Sequence, residues 1–398
     1  MSRSSVLASV LCLASFGCTA EDDPQPTLDS SGSSGESMAE EGSSTGEPRG
    51  ESSTGDDVEP SMCAGLSVTE VSLFQVLETK LWDDGAPVSA QPRAVPVVAG
   101  REALVRARFE TASGWTPQNL DVRIEVQTGG ETLEFETTAT VNGSSDPDDP
   151  NSGVQLSLPP SAIAPDAALS VHLDACETAT DPVAVEAVDT GPIEIHLVPF
   201  EVGGFVPDTS PAVVDGFRDA VLAVYPATEV HITVGDVVPD AYAGQLDMGA
   251  LLVDLGVIQE QVDQADPDVY YYGLVTGAAS REEFCDDCPT GTSESGSGNR
   301  AAFALGAAFA DQRSEDTLIH ELGHMHGLLH APCGDPNLLD EDFPYDEAAT
   351  GVEGYDFRTQ AFVAPDAKDM MAYCYPRWIS DHNYRKLVDW VQRAQSWD

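Results

Sequence analysis

Four histidines and one glutamate lie close together in the sequence HELGHMHGLLH, which covers residues 320–330. His320 and His324 are four residues apart, so on a helix both imidazoles project from one face at the separation that binds a single Zn²⁺. Glu321 is placed to contact a metal-bound water. Gly327 can adopt the left-handed conformation that ends a helix, after which His330 supplies a third neutral nitrogen. Three protein ligands leave a fourth position for water, as in catalytic rather than structural zinc sites.

The neighbouring sequence predicts the elements that position this segment. Ser314 is a suitable N-cap residue for the helix, and Glu315 and Asp316 suit its positive N-terminal end. Upstream, from about Val198, strand-like and helix-like runs alternate, which indicates an α+β layout. A polar, Gly/Ser-rich loop around 278–299 precedes the last strand. The predicted strands are 193–200, 229–234, 269–275 and 301–305, and the predicted helices are 212–224 and 248–263.

Residues 63–198 have a different pattern, in which short alternating runs are broken by turn residues. No convincing helical periodicity is present, and this spacing favours a β-sandwich. The predicted fold class is therefore α+β, with an all-β sandwich domain (63–198) before a catalytic domain (199–398). The strand-like runs are 66–76, 103–109, 122–127, 132–141, 154–158 and 168–173.

The loop between two of these runs, residues 146–151, has the sequence DPDDPN. Its hard oxygen atoms could bind Ca²⁺. It lacks the spacing of an EF-hand, so an acidic hairpin loop is the preferred interpretation and calcium the alternative.

The N-terminus has the pattern of an export signal, predicted here as residues 1–18. Arg3 supplies a positive region, and the apolar run 6–16 is too short to span a bilayer as a helix. Cys18 follows a small residue, like the lipid-attachment cysteine of bacterial lipoproteins, although cleavage after Ala20 is an alternative. Residues 19–62 are acidic and rich in Ser and Gly, which predicts a disordered linker. The expected location is the bacterial cell surface, through an outer-membrane lipid anchor, or secretion.

The charge balance restricts the partners of the chain. It has 18 Lys and Arg against 68 Asp and Glu, a formal net charge of −50. Such a surface repels nucleic acids and anionic lipid headgroups, so we expect no nucleic-acid partner and membrane contact only through the lipid anchor. The acidity is interpreted as a means of solubility outside the cell, with a preference for cationic substrates as the alternative.

The histidine segment resembles the signature of the metzincin zinc peptidases, H-E-x-x-H-x-x-G-x-x-H followed by a Met-turn. The sequence DMMAY at 369–373 matches the second part. The resemblance implies a metzincin-like (zincin) catalytic domain in which Met371 forms an apolar base under the metal and Tyr373 helps to hold the oxyanion. Met370 is expected to pack in the core. His326 is predicted to lie beside the ligands or at the surface rather than to bind metal.

The residues that flank both motifs resemble those of bacterial secreted, mucin-cleaving metzincins, with HAPCG from His330, MAYC from Met371 and WISD from Trp378. Cys333 lies three residues after a predicted ligand, and Cys374 three after the Met-turn methionine. A Cys333–Cys374 disulfide would hold the two halves of the site together. Cys63–Cys176 and Cys285–Cys288 are then the remaining predicted pairs.

The resulting hypothesis is an exported zinc endopeptidase that acts on proteins or glycoproteins. Glu321 would serve as general base, and a substrate would lie extended against an edge strand, for which residues 300–308 are the candidate. One alternative is a surface lipoprotein that binds glycan or protein and keeps a vestigial zinc site. Another is a zinc hydrolase acting on a non-peptide amide.

Overall fold

A computed structural model describes residues 65–395, except 92, 177, 263–268, 285–289 and 295–302. The predicted export signal (1–18) and linker (19–62) lie outside the described residues, as do Cys18, Cys63, Cys285 and Cys288. These predictions therefore stay predictions. None of the helices in the described part of the chain is long and apolar enough to cross a membrane.

The first half of the described chain forms two antiparallel sheets that enclose a common core. One sheet has the order β3-β2-β1-β4-β7, and the other β10-β8-β5-β6 with β9 added to β8. The strands are β1 (Leu66–Phe74), β2 (Glu78–Asp83), β3 (Ala86–Pro87), β4 (Ala103–Thr111), β5 (Gln118–Thr128), β6 (Glu131–Val141), β7 (Val154–Leu158), β8 (Ala168–Leu173), β9 (Thr178–Ala179) and β10 (Val183–Ala184).

The alternation seen in the sequence explains this sandwich-like region. Along β5, Leu120, Val122, Ile124 and Val126 are buried, and the residues between them are more accessible. Because successive side chains of a strand point to opposite faces, this pattern buries one face and solvates the other.

The second half contains a mixed sheet of the order β12-β11-β13-β15-β14. Neighbouring strands are parallel except β14, which runs antiparallel to β15 at one edge. Helices cover the sheet, and two small ribbons follow. The elements are β11 (Ile193–Phe200), α1 (Pro211–Val224), β12 (Val230–Val234), α2 (Met248–Val262), β13 (Val269–Val275), β14 (Gly291–Ser293), β15 (Phe303–Ala307), α3 (Gln312–Met325), β16 (Gly354–Asp356), β17 (Ala361–Val363), β18 (Lys368–Asp369), β19 (Arg377–Trp378) and α4 (Asp381–Gln395).

The molecule thus has a mixed α+β fold with a β-sandwich-like region, as the sequence predicted at the level of fold class. Two local predictions were wrong. The N-cap of α3 is Asp311, whose side chain accepts a hydrogen bond from the Ser314 backbone amide, so the helix begins before Ser314. Asp311 rather than Ser314 is the N-cap, because the Asp311 carboxylate lies where it can accept a hydrogen bond from the Ser314 amide.

The expected site-lining edge strand was also misplaced. Within residues 300–308, β15 (Phe303–Ala307) lies inside the sheet between β13 and β14. The edge is β14 (Gly291–Ser293), which the sequence analysis assigned to a loop. Its small, polar residues lack the hydrophobic pattern of a strand, and tertiary pairing with β15 imposes the strand conformation.

Side chains from one half of the molecule donate hydrogen bonds to backbone carbonyls in the other half. Arg101 of the sandwich-like region donates hydrogen bonds to the carbonyls of Leu222 and Tyr225 at the end of α1. A cation at this position satisfies carbonyls that lack a partner within the helix and suits its negative end. In the opposite direction, Trp378 donates from Nε1 to the carbonyl of Val76.

Candidate metal centre

Helix α3 positions the first two histidines. His320 and His324 lie on the same face, and both are buried, with exposed fractions of 3% and 7%. Their rings are 4.8 Å apart, centroid to centroid. The i, i+4 spacing alone accounts for this arrangement.

The chain leaves the helix through a compact C-terminal turn. Gly327 has φ +80°, in the left-handed region that glycine adopts without steric cost. Its amide donates to the carbonyl of His324, and the amide of Leu328 donates to the carbonyl of Gly323. This pair of bonds is a Schellman motif, which reverses the chain and carries it toward His330.

His330 is held by a loop that folds back beside it. Its amide donates to the carbonyl of Leu338, and its carbonyl accepts from the amide of Asp340. The Asp340 carboxylate accepts from His382 Nε2 at 2.8 Å and from Lys386 Nζ at 2.5 Å, both on α4. The loop that carries the third histidine is therefore fixed to the C-terminal helix.

In each of the three histidines, Nδ1 forms a hydrogen bond with a backbone carbonyl oxygen. His320 Nδ1 lies 2.9 Å from the oxygen of Met370, His324 Nδ1 lies 2.9 Å from that of Leu328, and His330 Nδ1 lies 2.5 Å from that of Asn337. A carbonyl oxygen only accepts, so Nδ1 carries the proton in all three. In the neutral ring Nε2 is then the atom with a free lone pair, the form in which histidine binds metals.

The three rings together offer a set of nitrogen ligands. One ligand atom from each of His320, His324 and His330 can be chosen so that all lie within 4.8 Å of one another. The Nε2 atoms of His324 and His330 are only 3.1 Å apart, a contact between two lone pairs that a cation would stabilise. Burial lowers the pKa of His320 well below its usual value and that of His324 to about 4. The donor set therefore fits a divalent ion that prefers neutral imidazole, such as zinc.

Met371 packs underneath the helix. It is fully buried, and its sulfur approaches α3 at Gly323, where a Cβ would lie only 2.5 Å from Sδ. The turn is organised by Asp369, whose carboxylate accepts from the amides of Met371 and Ser380 and from the side chain of Asn383, all at 2.8 Å. This role of Asp369 has no signal in the sequence, because its partners Ser380 and Asn383 lie more than ten residues away.

Glu321 lies under the edge strand β14. It is 1% exposed, and a Cβ on Gly291 would lie 2.4 Å from its Oε1 atom. Only glycine leaves room for the carboxylate at this point of the strand. Gly291 was missed in the sequence because a single glycine in a Gly/Ser-rich stretch carries no distinctive signal.

Tyr373 stands beside the third histidine. Its hydroxyl is 3.3 Å from His330 Nε2, and its ring centroid is 5.0 Å from that of His330 and 6.0 Å from that of His320. The structure thus places the Tyr373 hydroxyl beside Nε2 of His330, the nitrogen that does not carry the proton.

His326 and Met370 are both buried, and neither belongs to this cluster. His326 is 2% exposed, donates from Nδ1 to the carbonyl of Leu322 at 2.7 Å and packs against the rings of Tyr270 and Trp390. The expectation that it lies beside the ligands or at the surface was wrong, because the sheet and α4 cover this side of α3. Met370 lies in the main core, as predicted.

A disulfide joins Cys333 and Cys374, as the sequence predicted. It connects the segment after His330 to the segment after Met371, and the amide of Tyr373 also donates to the carbonyl of Cys333. Cys176 is disulfide-bonded, and its predicted partner Cys63 lies outside the described residues.

Several oxygen atoms of the acidic loop 146–151 accept hydrogen bonds within the protein. Arg108 donates to the carbonyls of Asp146 and Asp149, and the carboxylates of these two residues accept backbone amides of the same loop. Across the described part of the chain, the histidine cluster is the one group of His, Cys, Asp or Glu with metal-binding geometry. Calcium binding gains no support from this loop.

Comparison with known families places the site within a recognised sequence pattern. The family model described as Peptidase M66 matches residues 277–386, a stretch that includes α3, the histidine cluster, Met371 and Tyr373. The match supports a metallopeptidase. It covers less than half of the chain, and the sandwich-like region lies outside it.

The other comparisons add no argument. No curated protein matches the chain. Among solved structures, a calcium-binding mutant of Bacteroides uniformis beta-glucuronidase 2 aligns at 8% identity with a TM-score of 0.15, over 52% of this chain and 27% of that chain. A similarity this weak does not bear on the fold or function.

Proposed function

We propose that the protein is a zinc-dependent endopeptidase of the metzincin type that hydrolyses peptide bonds in proteins or glycoproteins. The observation that carries the proposal is the cluster of His320, His324 and His330, whose ligand nitrogens lie within 4.8 Å of one another, beside the buried Glu321 of helix α3. A structural zinc site needs no buried carboxylate next to its ligands. A peptidase needs one as a base.

The residues divide the chemistry between them. His320, His324 and His330 would hold Zn²⁺, which supplies Lewis acidity for water activation and carbonyl polarisation. Glu321 accepts the proton of the attacking water and later delivers it to the leaving amine. The hydroxyl of Tyr373 donates a hydrogen bond to the oxygen that becomes negative during attack. The carbonyls of Met370, Leu328 and Asn337 keep the imidazoles in the required tautomer.

Substrate binding is proposed to occur at β14. This edge strand lies over Glu321, and on its outer side no strand of the described residues pairs with it, so an extended polypeptide can add to it as a further strand. The resemblance to mucin-cleaving peptidases in the flanking residues suggests a glycoprotein as substrate. We also propose export, with attachment through Cys18 or release from the cell.

The test is cleavage of a panel of peptides and glycoproteins by the purified chain, scored by mass spectrometry, with zinc content measured in parallel. Glu321→Gln is the paired variant, because it preserves size while removing the base. We expect one zinc per chain in both proteins and cleavage by the wild type alone. If both bind zinc and neither cleaves any substrate, the peptidase proposal fails, and binding of glycan or protein by the sandwich-like region becomes the better hypothesis.

A further inference from the structure

A buried tyrosine hydroxyl lies close to Glu321 without a hydrogen-bond partner among the described residues. Tyr272 is on β13, is 1% exposed, and its hydroxyl makes no hydrogen bond within the described ranges. Buried tyrosine hydroxyls are normally paired, since an unpaired one costs free energy that phenylalanine would not. A hydroxyl retained under these conditions calls for an explanation in terms of function.

The sheet places this hydroxyl beside the carboxylate of Glu321. Gly306 on β15 and Gly291 on β14 are direct cross-strand partners, so they open gaps on the same face of the sheet. A Cβ on Gly306 would lie 2.0 Å from the Tyr272 hydroxyl, and a Cβ on Gly291 would lie 2.4 Å from Glu321 Oε1. Two neighbouring glycines therefore make room for two polar groups that face the same side.

The electrostatics agree with this placement. Burial raises the pKa of Tyr272 well above its usual value, and the charge of Glu321 is the next largest cause of the increase. Tyr272 therefore keeps its proton at physiological pH and acts as a hydrogen-bond donor toward a nearby anion.

We propose that Tyr272 is a positioning residue for Glu321, whose carboxylate accepts a hydrogen bond from the tyrosine hydroxyl in the substrate-bound enzyme. This bond fixes the orientation in which Glu321 meets the attacking water. Hydrogen bonds at catalytic groups are often long without substrate and shorten in the complex. The inference rests on the proposed function, and Tyr272 acts only through Glu321.

The first test is Tyr272→Phe, which removes a single oxygen atom. We expect kcat to fall by about 10- to 100-fold, the effect typical of residues that orient catalytic groups. KM, zinc content and Tm stay at the wild-type values, or Tm rises because an unpaired buried hydroxyl is gone. The control is Tyr225→Phe, whose hydroxyl donates to the carbonyl of Ile319 at 3.0 Å, and which should lose Tm while keeping kcat.

The second test does not depend on cleavage. A peptide hydroxamate gives up its proton to the base when it binds zinc, so its Kd reports the position of Glu321. Tyr272→Phe should weaken hydroxamate binding about tenfold in the wild type and have no effect in a Glu321→Ala background. Wild-type kcat and hydroxamate affinity in Tyr272→Phe, or equal losses in both backgrounds, would overturn the inference. If the wild type binds zinc but cleaves nothing, the proposed function fails, while the hydroxamate cycle still tests the coupling of the two residues.

Discussion

Gly323 lies directly against the sulfur of Met371, so that the helix carrying two histidines and the turn carrying the methionine are in contact without any intervening side chain. The carbonyl of the preceding Met370 accepts from His320 Nδ1 in the same region. The position of the methionine turn and the orientation of the His320 ring are therefore set together.

Gly323→Ala should weaken the metal centre. The added methyl group would meet Met371 Sδ at 2.5 Å and must push the turn or the helix aside. We expect a loss of stability of about 1–3 kcal/mol, typical of overpacking, and at least tenfold weaker zinc binding. Chemical unfolding and competition with a chromogenic chelator measure the two effects. The matched control is Gly143→Ala, where a Cβ has no atom within 4 Å. Equal behaviour of the two variants would contradict this account.

Removal of the Cys333–Cys374 disulfide should destabilise the region around His330. The bond closes a segment with a sequence separation of 41 residues. Loop-closure entropy for such a segment corresponds to about 4 kcal/mol. The double substitution Cys333→Ser and Cys374→Ser is expected to lower Tm and to increase the rate at which zinc is lost to a chelator. An unchanged rate of zinc loss would show that the hydrogen bonds of the loop hold His330 without the disulfide.

Asp369→Ala should be among the most destabilising single changes near the site. The buried carboxylate accepts hydrogen bonds from Met371, Ser380 and Asn383, and its removal leaves these donors without an acceptor. The expected loss is at least about 3 kcal/mol, because three buried donors lose their acceptor at about 1–3 kcal/mol each, and we expect zinc binding to be lost as well. Denaturant unfolding measures the stability, and the exposed Asp366→Ala is the control. A loss below about 1 kcal/mol would mean that the turn does not depend on this carboxylate.

The stability of the protein should fall as the pH drops below the pKa of an unfolded histidine. Burial lowers the pKa of His326 to about 4, so the folded protein binds fewer protons than the unfolded chain between about pH 6.5 and 4. The contribution of His326 is complete above pH 6.5 and decreases as the pH falls toward 4. At pH 4.5 the decrease amounts to about 2–3 kcal/mol.

The contribution of His326 can be isolated with His326→Gln. Unfolding free energies of this variant and the wild type are compared at pH 7.5 and 4.5. The wild type should lose more stability than the variant by about 2–3 kcal/mol. The same loss in both proteins would assign the acid sensitivity to other groups.

The parts of the site that depend on local sequence could be predicted, and those that depend on distant contacts could not. The spacing of His320, His324 and His330 and the glycine at 327 predict a helix, its end and a third histidine beside it within one short segment. Asp369 gains its role only when Ser380 and Asn383 fold back onto it. The same holds for β14, because pairing with β15, and not a hydrophobic pattern, makes Gly291–Ser293 a strand.

The fold was predictable for a similar reason. Alternation of apolar and polar residues along a strand such as β5 predicts a sheet with one buried face. Most strands of the sandwich-like region could therefore be predicted. The start of α3 was misplaced because Asp311 and Ser314 are both good capping residues and lie only three positions apart. Sequence alone cannot decide which of the two side chains reaches the free amides.

The hydrogen bonds from Arg101 to the end of α1 have a consequence for the order in which the molecule is assembled. The sandwich-like region is synthesised before α1, and domains generally fold as units in the order of their synthesis. Arg101 is then already held in a folded sheet when Leu222 and Tyr225, whose carbonyls it binds, emerge from the ribosome. The folded N-terminal half would thus help the half that carries the histidines to fold. A chain shortened to the second half would lack the arginine that satisfies the last carbonyls of α1.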